Sequence, residues 1–282
     1  MAELRNRPYR SIEAHRIAGS LGAEIAGIDL STDFGDEVMK EIRQALLDHL
    51  VIFFRDQTLT PAQQVAFARR WGEIYFYPLS PGLDGHPELL EIKKTPEEEK
   101  NIGNEWHTDQ MFAPAPAMAT ILYAKQVPSY GGDTMFANQY LAYETLSDGM
   151  RRMLTGMKTV CGILDQRNAG TNYNAGAPIN SKTVSTHPVI RTHPETGRKL
   201  LYIGGHARSF EGMTEEESKP LIDYLMKHST RAESICRFRW RNGSMAIWDN
   251  RCTQHYAIND YPNETRVMHR ALITGDAPFY RA

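Results

Sequence analysis

Ser234-Ile235-Cys236-Arg237-Phe238-Arg239-Trp240 is followed by Arg241-Asn242-Gly243 and then by Ser244-Met245-Ala246-Ile247-Trp248. Two short runs carrying aromatic and β-branched side chains are divided by a turn with Asn-Gly at its centre, and runs of this length and composition are strands. The pattern recurs on both sides, in Met118–Val127, Thr186–Arg191, Lys199–Ile203 and Arg266–Thr274. Helices fall mostly before residue 88 or as insertions. Val38, Met39, Ile42, Ala45, Leu46 and Leu50 recur at helical spacing over Asp36–Leu50, with Asp36 placed as the cap. Thr60-Pro61 opens a second helix through Trp71, and Thr214 with Glu217 forms a capping box for a third over Thr214–His228. Between the first two helices, Leu50–Phe54 reads as a buried strand. This order predicts a mainly β chain with flanking helices, a β-sandwich or jelly roll, rather than a βαβ sheet.

The 282 residues fit one elaborated domain, since no repeat, low-complexity tract or linker divides them. Charged residues make up 23% and the apolar set 41%, enough to close a large core. A formal charge of −2 without a Lys/Arg cluster argues against a nucleic-acid partner. The polar start, MAELRNRPYRSIEAHRIAG, and the lack of a long apolar run argue against export or membrane insertion and for the cytoplasm. Cys161, Cys236 and Cys252 are widely spaced and form no CxxC pair, so they are expected to be reduced packing residues.

Trp106-His107-Thr108-Asp109 places an imidazole and a carboxylate two residues apart, on one face if the segment is extended. His255, just past the strand ending at Trp248, is the candidate third ligand. Two His and one carboxylate leave three adjacent positions open, the arrangement that non-haem Fe(II) oxygenases use. Alone, a His-x-Asp reads more readily as a surface turn with a hydrogen-bonded His than as a metal site. Downstream, Arg266 and Arg270 lie four residues apart in a strand and therefore share a face. Arg266 suits the distal carboxylate of a 2-oxo acid, and Arg270 an anionic substrate group. Two other readings of the same residues are a metal- and anion-binding jelly-roll module without turnover and a zinc hydrolase.

Seven blocks resemble, in order, the TauD/TfdA family of Fe(II)/2-oxoglutarate-dependent dioxygenases, typified by taurine dioxygenase and 2,4-dichlorophenoxyacetate dioxygenase. They are Gly22-Ala23-Glu24-Ile25 with Gly27-Ile28-Asp29-Leu30, Val51-Ile52-Phe53-Phe54-Arg55-Asp56-Gln57, Trp106-His107-Thr108-Asp109, Gly131-Gly132-Asp133-Thr134, His187-Pro188-Val189, Trp248-Asp249-Asn250-Arg251, and Met268-His269-Arg270. The resemblance implies a double-stranded β-helix, the cupin-like jelly roll, with Fe(II) on His107, Asp109 and His255. It further implies that Thr134 and Arg266 bind 2-oxoglutarate, that Arg270 faces the substrate anion, and that O2 is consumed as succinate and CO2 are released. A homo-oligomer, dimer or tetramer, is expected from the family.

Where taurine dioxygenase carries a sulfonate-contacting His and a later Tyr, this chain shows Tyr77 and Ser80. Gly103, with Asn104 beside it, replaces an asparagine. These departures point away from taurine, with release of sulfite, as the first choice of substrate and toward other small anions, aryloxy or alkyl carboxylates, sulfates or sulfonates. Tyr77, Asn104 and His206, the last in Leu201-Tyr202-Ile203-Gly204-Gly205-His206, are candidate substrate contacts. Tyr75 and Phe112 are candidate pocket aromatics, Phe76 is read as core, and lid loops are expected near 75–84 and 162–186.

Overall fold

A computed structural model describes residues 9–76, 82–162 and 184–282. Tyr77, Ser80, half of the lid loop expected near 75–84 and most of that expected near 162–186 lie outside the described residues. The chain runs β1 (Glu13–Arg16), β2 (Ala23–Ala26), α1 (Asp36–His49), β3 (Val51–Phe54), α2 (Pro61–Arg69), β4 (Leu90–Lys94), β5 (Ala119–Gln126) and β6 (Thr134–Asn138). It continues through α3 (Gln139–Glu144), α4 (Asp148–Leu154), β7 (Lys158–Gly162), β8 (Val184–Pro188), β9 (Ile190–Thr192), β10 (Lys199–Leu201), β11 (Ala207–Phe210) and α5 (Glu215–Ser229). The last strands are β12 (Ile235–Phe238), β13 (Met245–Asp249), β14 (Thr253–Ala257) and β15 (Arg266–Ile273).

A seven-stranded sheet ordered β1-β2-β3-β13-β5-β15-β4 forms one layer, and the three-stranded sheet β12-β6-β14 faces it. Alternation along the central strands builds two cores. Ile52, Phe54, Ile121, Tyr123, Met245 and Ile247 point to one face, against Met39, Ile42 and Leu46 of α1 and Val65 and Phe67 of α2. Val51, Phe53, Leu122, Ala246, Trp248 and Met268 point to the other, against Phe136 of β6 and Phe238 of β12. Phe53 stacks on Phe238 with centroids 4.0 Å apart, joining the two sheets. No helix among the described residues is long and apolar enough to cross a membrane.

The turn Arg241-Asn242-Gly243 carries the chain from the small sheet, where β12 pairs with β6, to the large one, where β13 pairs with β3 and β5. Gly243 has φ +77, and a Cβ there would sit 2.7 Å from the Gln57 carbonyl oxygen, so both its backbone and its bareness are required.

The expected Thr214–Glu217 capping box forms, and Thr60 caps α2 with Pro61 in its first turn, in a second box with Gln63. Three expectations need correction. Asp36 does not cap α1; Gly35 holds that position without a side-chain bond, and Asp36 pairs instead with Arg70 at 2.9 Å. The expected single strand Thr186–Arg191 is divided at Val189, so that β8 joins β7 and β9 joins β10. Phe76 is 59% exposed rather than core. Among the described residues its segment pairs with the sheet at the isolated bridge between Ile74 and Ile273, and Phe76 lies beyond that pairing.

Candidate metal centre

His107 and Asp109 lie in the connection between β4 and β5, and His255 lies within β14 rather than beyond a strand. The chain turns at Asn250–Cys252 after β13 and starts a new strand, which pairs with β6 so that His255 faces Phe136. His107 and His255 are bound back to back: each backbone N–H donates to the other's carbonyl, at 3.1 and 2.8 Å. This isolated bridge brings the imidazole centroids to 4.1 Å. One ligand atom from each of His107, Asp109 and His255 lies within 4.8 Å of the other two.

The ring orientation of His107 follows from its backbone. Its Nδ1 lies 2.8 Å from the Glu105 carbonyl oxygen, which can only accept, so Nδ1 donates there and, in the neutral ring, Nε2 carries the lone pair. Burial, with repulsion from His107, pushes the His255 pKa down to about 3, leaving it a neutral ligand at neutral pH. Burial raises the Asp109 pKa, but His255, Arg270, His107 and the Thr120 hydroxyl outweigh it and bring it to about 2. Two imidazoles and a carboxylate suit a divalent cation that keeps open positions, and the donor set contains no thiolate.

The cavity beside these donors is lined by His107, His255, Thr134, Arg266 and Arg270, with Ile92, Ile102 and Leu122 as apolar walls. Period-2 geometry on β15 sends Arg266, Met268 and Arg270 inward, while His269 turns back to Gln64 of α2. Arg266 is 6% exposed, and its Nε and one Nη are buried without a hydrogen-bond partner. Burial of its charge lowers its pKa. A buried guanidinium with free donors facing a cavity is the signature of a site built for an anion. Arg270 Nη1 stands 3.6 Å from Asp109 Oδ1. Thr134 Oγ1 accepts the Trp240 indole N–H at 2.9 Å, which leaves its own hydrogen to be given elsewhere.

Gly103 also lines the cavity, at φ +82, and a Cβ there would press to 3.2 Å on the His107 ring. Asn104 is exposed and is not among the lining residues. His206 is buried with its ring 6.3 Å from that of His107 and edge-on to Phe112 at 5.2 Å. Three participants were not visible in the sequence: Thr120 and Asn250, which stand behind Asp109, and Trp240. A Thr within an apolar strand carries no signal of its own. For Asn250, the adjoining Trp248 and Asp249 gave a block but not a role.

A second buried cluster, His193, Asp249 and Cys252, also brings three potential ligand atoms within 4.8 Å. Its carboxylate is already engaged. Asp249 accepts from Arg251 Nε and Nη2 at 2.9 and 2.7 Å, and its Oδ2 lies 3.0 Å from His193 Nε2. Burial and the Asp249 charge raise the Cys252 pKa, keeping the thiol protonated.

Comparison with known proteins agrees with this geometry. The model of the taurine catabolism dioxygenase TauD, TfdA family matches residues 13–272. An alpha-ketoglutarate-dependent sulfate ester dioxygenase of Pseudomonas putida is 35% identical over 98% of this chain and 94% of its own. The alpha-ketoglutarate-dependent 2,4-dichlorophenoxyacetate dioxygenase of Cupriavidus pinatubonensis is 31% identical over 95% and 99%. The solved structure of a taurine dioxygenase from Burkholderia xenovorans superposes with a TM-score of 0.83 at 36% identity, covering 95% of this chain and 91% of that one. With its jelly roll and nearly its whole length matched, the chain belongs to the taurine catabolism dioxygenase TauD, TfdA family.

Proposed function

We propose that this chain, a 2-oxoglutarate-dependent dioxygenase, uses Fe(II) held by His107, Asp109 and His255 to hydroxylate a small organic anion, a sulfate ester, sulfonate or aryloxy or alkyl carboxylate. The observation that carries this reading is the pair of inward guanidinium groups, Arg266 and Arg270, in the cavity that His107 and His255 also line. When bound, iron with 2-oxoglutarate and O2 supplies the oxidising power, yielding succinate and CO2.

The protein's residues supply position and charge. Arg266 takes the distal carboxylate of 2-oxoglutarate through its unpartnered nitrogens, and Thr134 donates to the same carboxylate because Trp240 already occupies its acceptor side. Arg270 receives the anionic group of the substrate. His206, Tyr77 and Asn104 are proposed as further substrate contacts, His206 on the strength of its closeness to His107. Hydroxylation of a carbon that bears oxygen or sulfur gives an unstable product, which loses sulfate, sulfite or a phenol and leaves a carbonyl compound. The working unit is proposed to be one catalytic domain spanning 1–282, in a cytoplasmic dimer or tetramer.

The taurine reading, with sulfite as product, keeps a place because a relative of 36% identity is a taurine dioxygenase. Succinate release in the presence of Fe(II) and 2-oxoglutarate, measured against an alkyl sulfate, an alkyl sulfonate, an aryloxy acid and taurine, tests the proposal. Stimulation by one of the first three, lost in His107→Ala, is expected. Stimulation by taurine alone would make the second reading the right one, and no succinate with any of the four would sink both.

A further inference from the structure

The two oxygens of the Asp109 carboxylate have different surroundings. Oδ1 is the oxygen near the cavity-lining groups, 3.6 Å from Arg270 Nη1 and 3.9 Å from His107 Nε2. Oδ2 accepts the Thr120 hydroxyl at 2.6 Å. Behind Thr120 stands Asn250, whose Nδ2 donates to Thr120 Oγ1 at 2.8 Å. Behind Asn250 stands Trp248, whose Nε1 donates to Asn250 Oδ1 at 2.9 Å. All four side chains are buried.

The polarity of this chain is fixed from its far end. An indole N–H can only donate, so the amide must present its oxygen to Trp248 and its nitrogen to Thr120. The Thr120 hydroxyl, accepting from the amide, has one hydrogen to give, and an ionised carboxylate can only accept it. The proton therefore points at Oδ2. The backbone holds the parts in place, since Thr120 lies directly opposite Trp248 in the β5–β13 ladder and the Asn250 N–H is bound to the Met118 carbonyl at 2.9 Å.

We propose that Trp248, Asn250 and Thr120 are positioning residues that reserve Oδ2 of Asp109, so that the carboxylate offers one oxygen to the metal. This rests on the reading that His107, Asp109 and His255 hold the metal. A ligating carboxylate can bind through one oxygen or through both. A second Asp109 oxygen on the metal would close a position that the 2-oxo acid or O2 requires. The hydrogen-bond chain thus protects the vacancies as well as the ligand, and hydrogen bonds of this kind behind a metal ligand are commonly worth 10–100-fold in affinity, on the order of one to two decades.

The test is titration of the metal-free protein with Co(II), reading both the dissociation constant and the visible absorption of the bound ion. Wild type and Thr120→Ser, which keeps the hydroxyl, are expected to bind alike with the same spectrum. Thr120→Val is expected to bind about 10–100-fold more weakly and with a changed spectrum, as both Asp109 oxygens become available. Asn250→Ala, which leaves the hydroxyl but frees its direction, is expected to fall between them, and it carries the test alone if Thr120→Val does not fold.

Wild-type affinity and spectrum in every folded variant would overturn the proposal. Weaker binding with an unchanged spectrum would also overturn it, because a loosened fold lowers affinity without altering the ligand set. Failure of the wild-type protein itself to bind Co(II) would instead overturn the metal reading beneath it.

Discussion

Among the described residues two buried clusters, His107-Asp109-His255 and His193-Asp249-Cys252, each bring three donor atoms within 4.8 Å of one another. They differ in what those donors already hold. Both oxygens of Asp249 are bound by Arg251, whose Nη1 in turn reaches Glu195 at 2.7 Å. The cluster sits where β13 ends and the chain turns into β14, and there the Thr253 hydroxyl closes on the Asp249 carbonyl at 2.7 Å. It fastens the corner that delivers His255. At the other cluster Asp109 Oδ1 meets Arg270 in an ion pair of 3.6 Å, well longer than the 2.9 and 2.7 Å bonds that Arg251 makes to Asp249. Closeness of ligands is common to a joint and to a metal site; unspent bonding capacity belongs to the metal site alone.

The widest separation between them should appear on replacing each carboxylate in turn. Asp109→Asn is expected to weaken divalent-metal binding beyond the roughly 100-fold that outer hydrogen-bond partners are worth, and to leave the melting temperature of the metal-free protein within a few degrees. Asp249→Asn should do the reverse. It leaves Arg251 buried with half its compensation, a cost of about 3–5 kcal/mol, or about 2–4 °C of Tm per kcal/mol in a chain of this size.

The acid limb sharpens the contrast. Burial raises the Asp249 pKa, but Arg251 and His193 outweigh it and hold it well below its ordinary 3.8. A depressed folded pKa means stability that is present above the unfolded value and lost as pH falls below it. The gap between wild type and Asp249→Asn should therefore persist from neutral pH to about pH 4 and close only below it, as read by denaturant titration. An Asp249→Asn protein with unchanged stability and lost metal would break the comparison.

The same contrast separates arginines. Arg251 has its nitrogens engaged, whereas Arg266 keeps Nε and one Nη unpartnered in the interior. Arg266→Ala is accordingly expected to raise the KM for 2-oxoglutarate by the 2–5 kcal/mol typical of a truncated buried charge pair, about 30-fold or more, without lowering ligand-free stability. Arg270→Ala should act mainly on the KM of the primary substrate. Equal effects of both on 2-oxoglutarate alone would remove the division of roles.

The residues that sequence could place were those whose meaning is local. His107 and Asp109 are two apart, Arg266 and Arg270 share a strand face, and the Thr214–Glu217 capping box closes within one turn. What escaped was set by partners far along the chain. The bond from Asn250 to Thr120 spans 130 residues, and that from Trp240 to Thr134 spans 106. Asp36 has the composition of a cap, but Arg70 claims it across 34 residues. Likewise Asp249 and Asp109 look alike as letters, and only the fold shows which one has its oxygens occupied.

Trp240 offers the smallest and most selective change. Its indole N–H fills the acceptor side of Thr134, and the Arg266 guanidinium carbon lies 5.8 Å from its ring. Trp240→Phe keeps most of the packing surface and removes one donor. If Thr134 donates to the distal carboxylate, its hydroxyl then becomes free to turn, and the loss should be about 1 kcal/mol, roughly fivefold in the KM for 2-oxoglutarate. Metal affinity and the KM for primary substrate should not follow, because the chain from Trp248 to Asp109 is untouched. A Trp240→Phe enzyme that bound Co(II) more weakly would show that the carboxylate site and the metal site are coupled, and the separation of spent from unspent groups would then have to be drawn around both together.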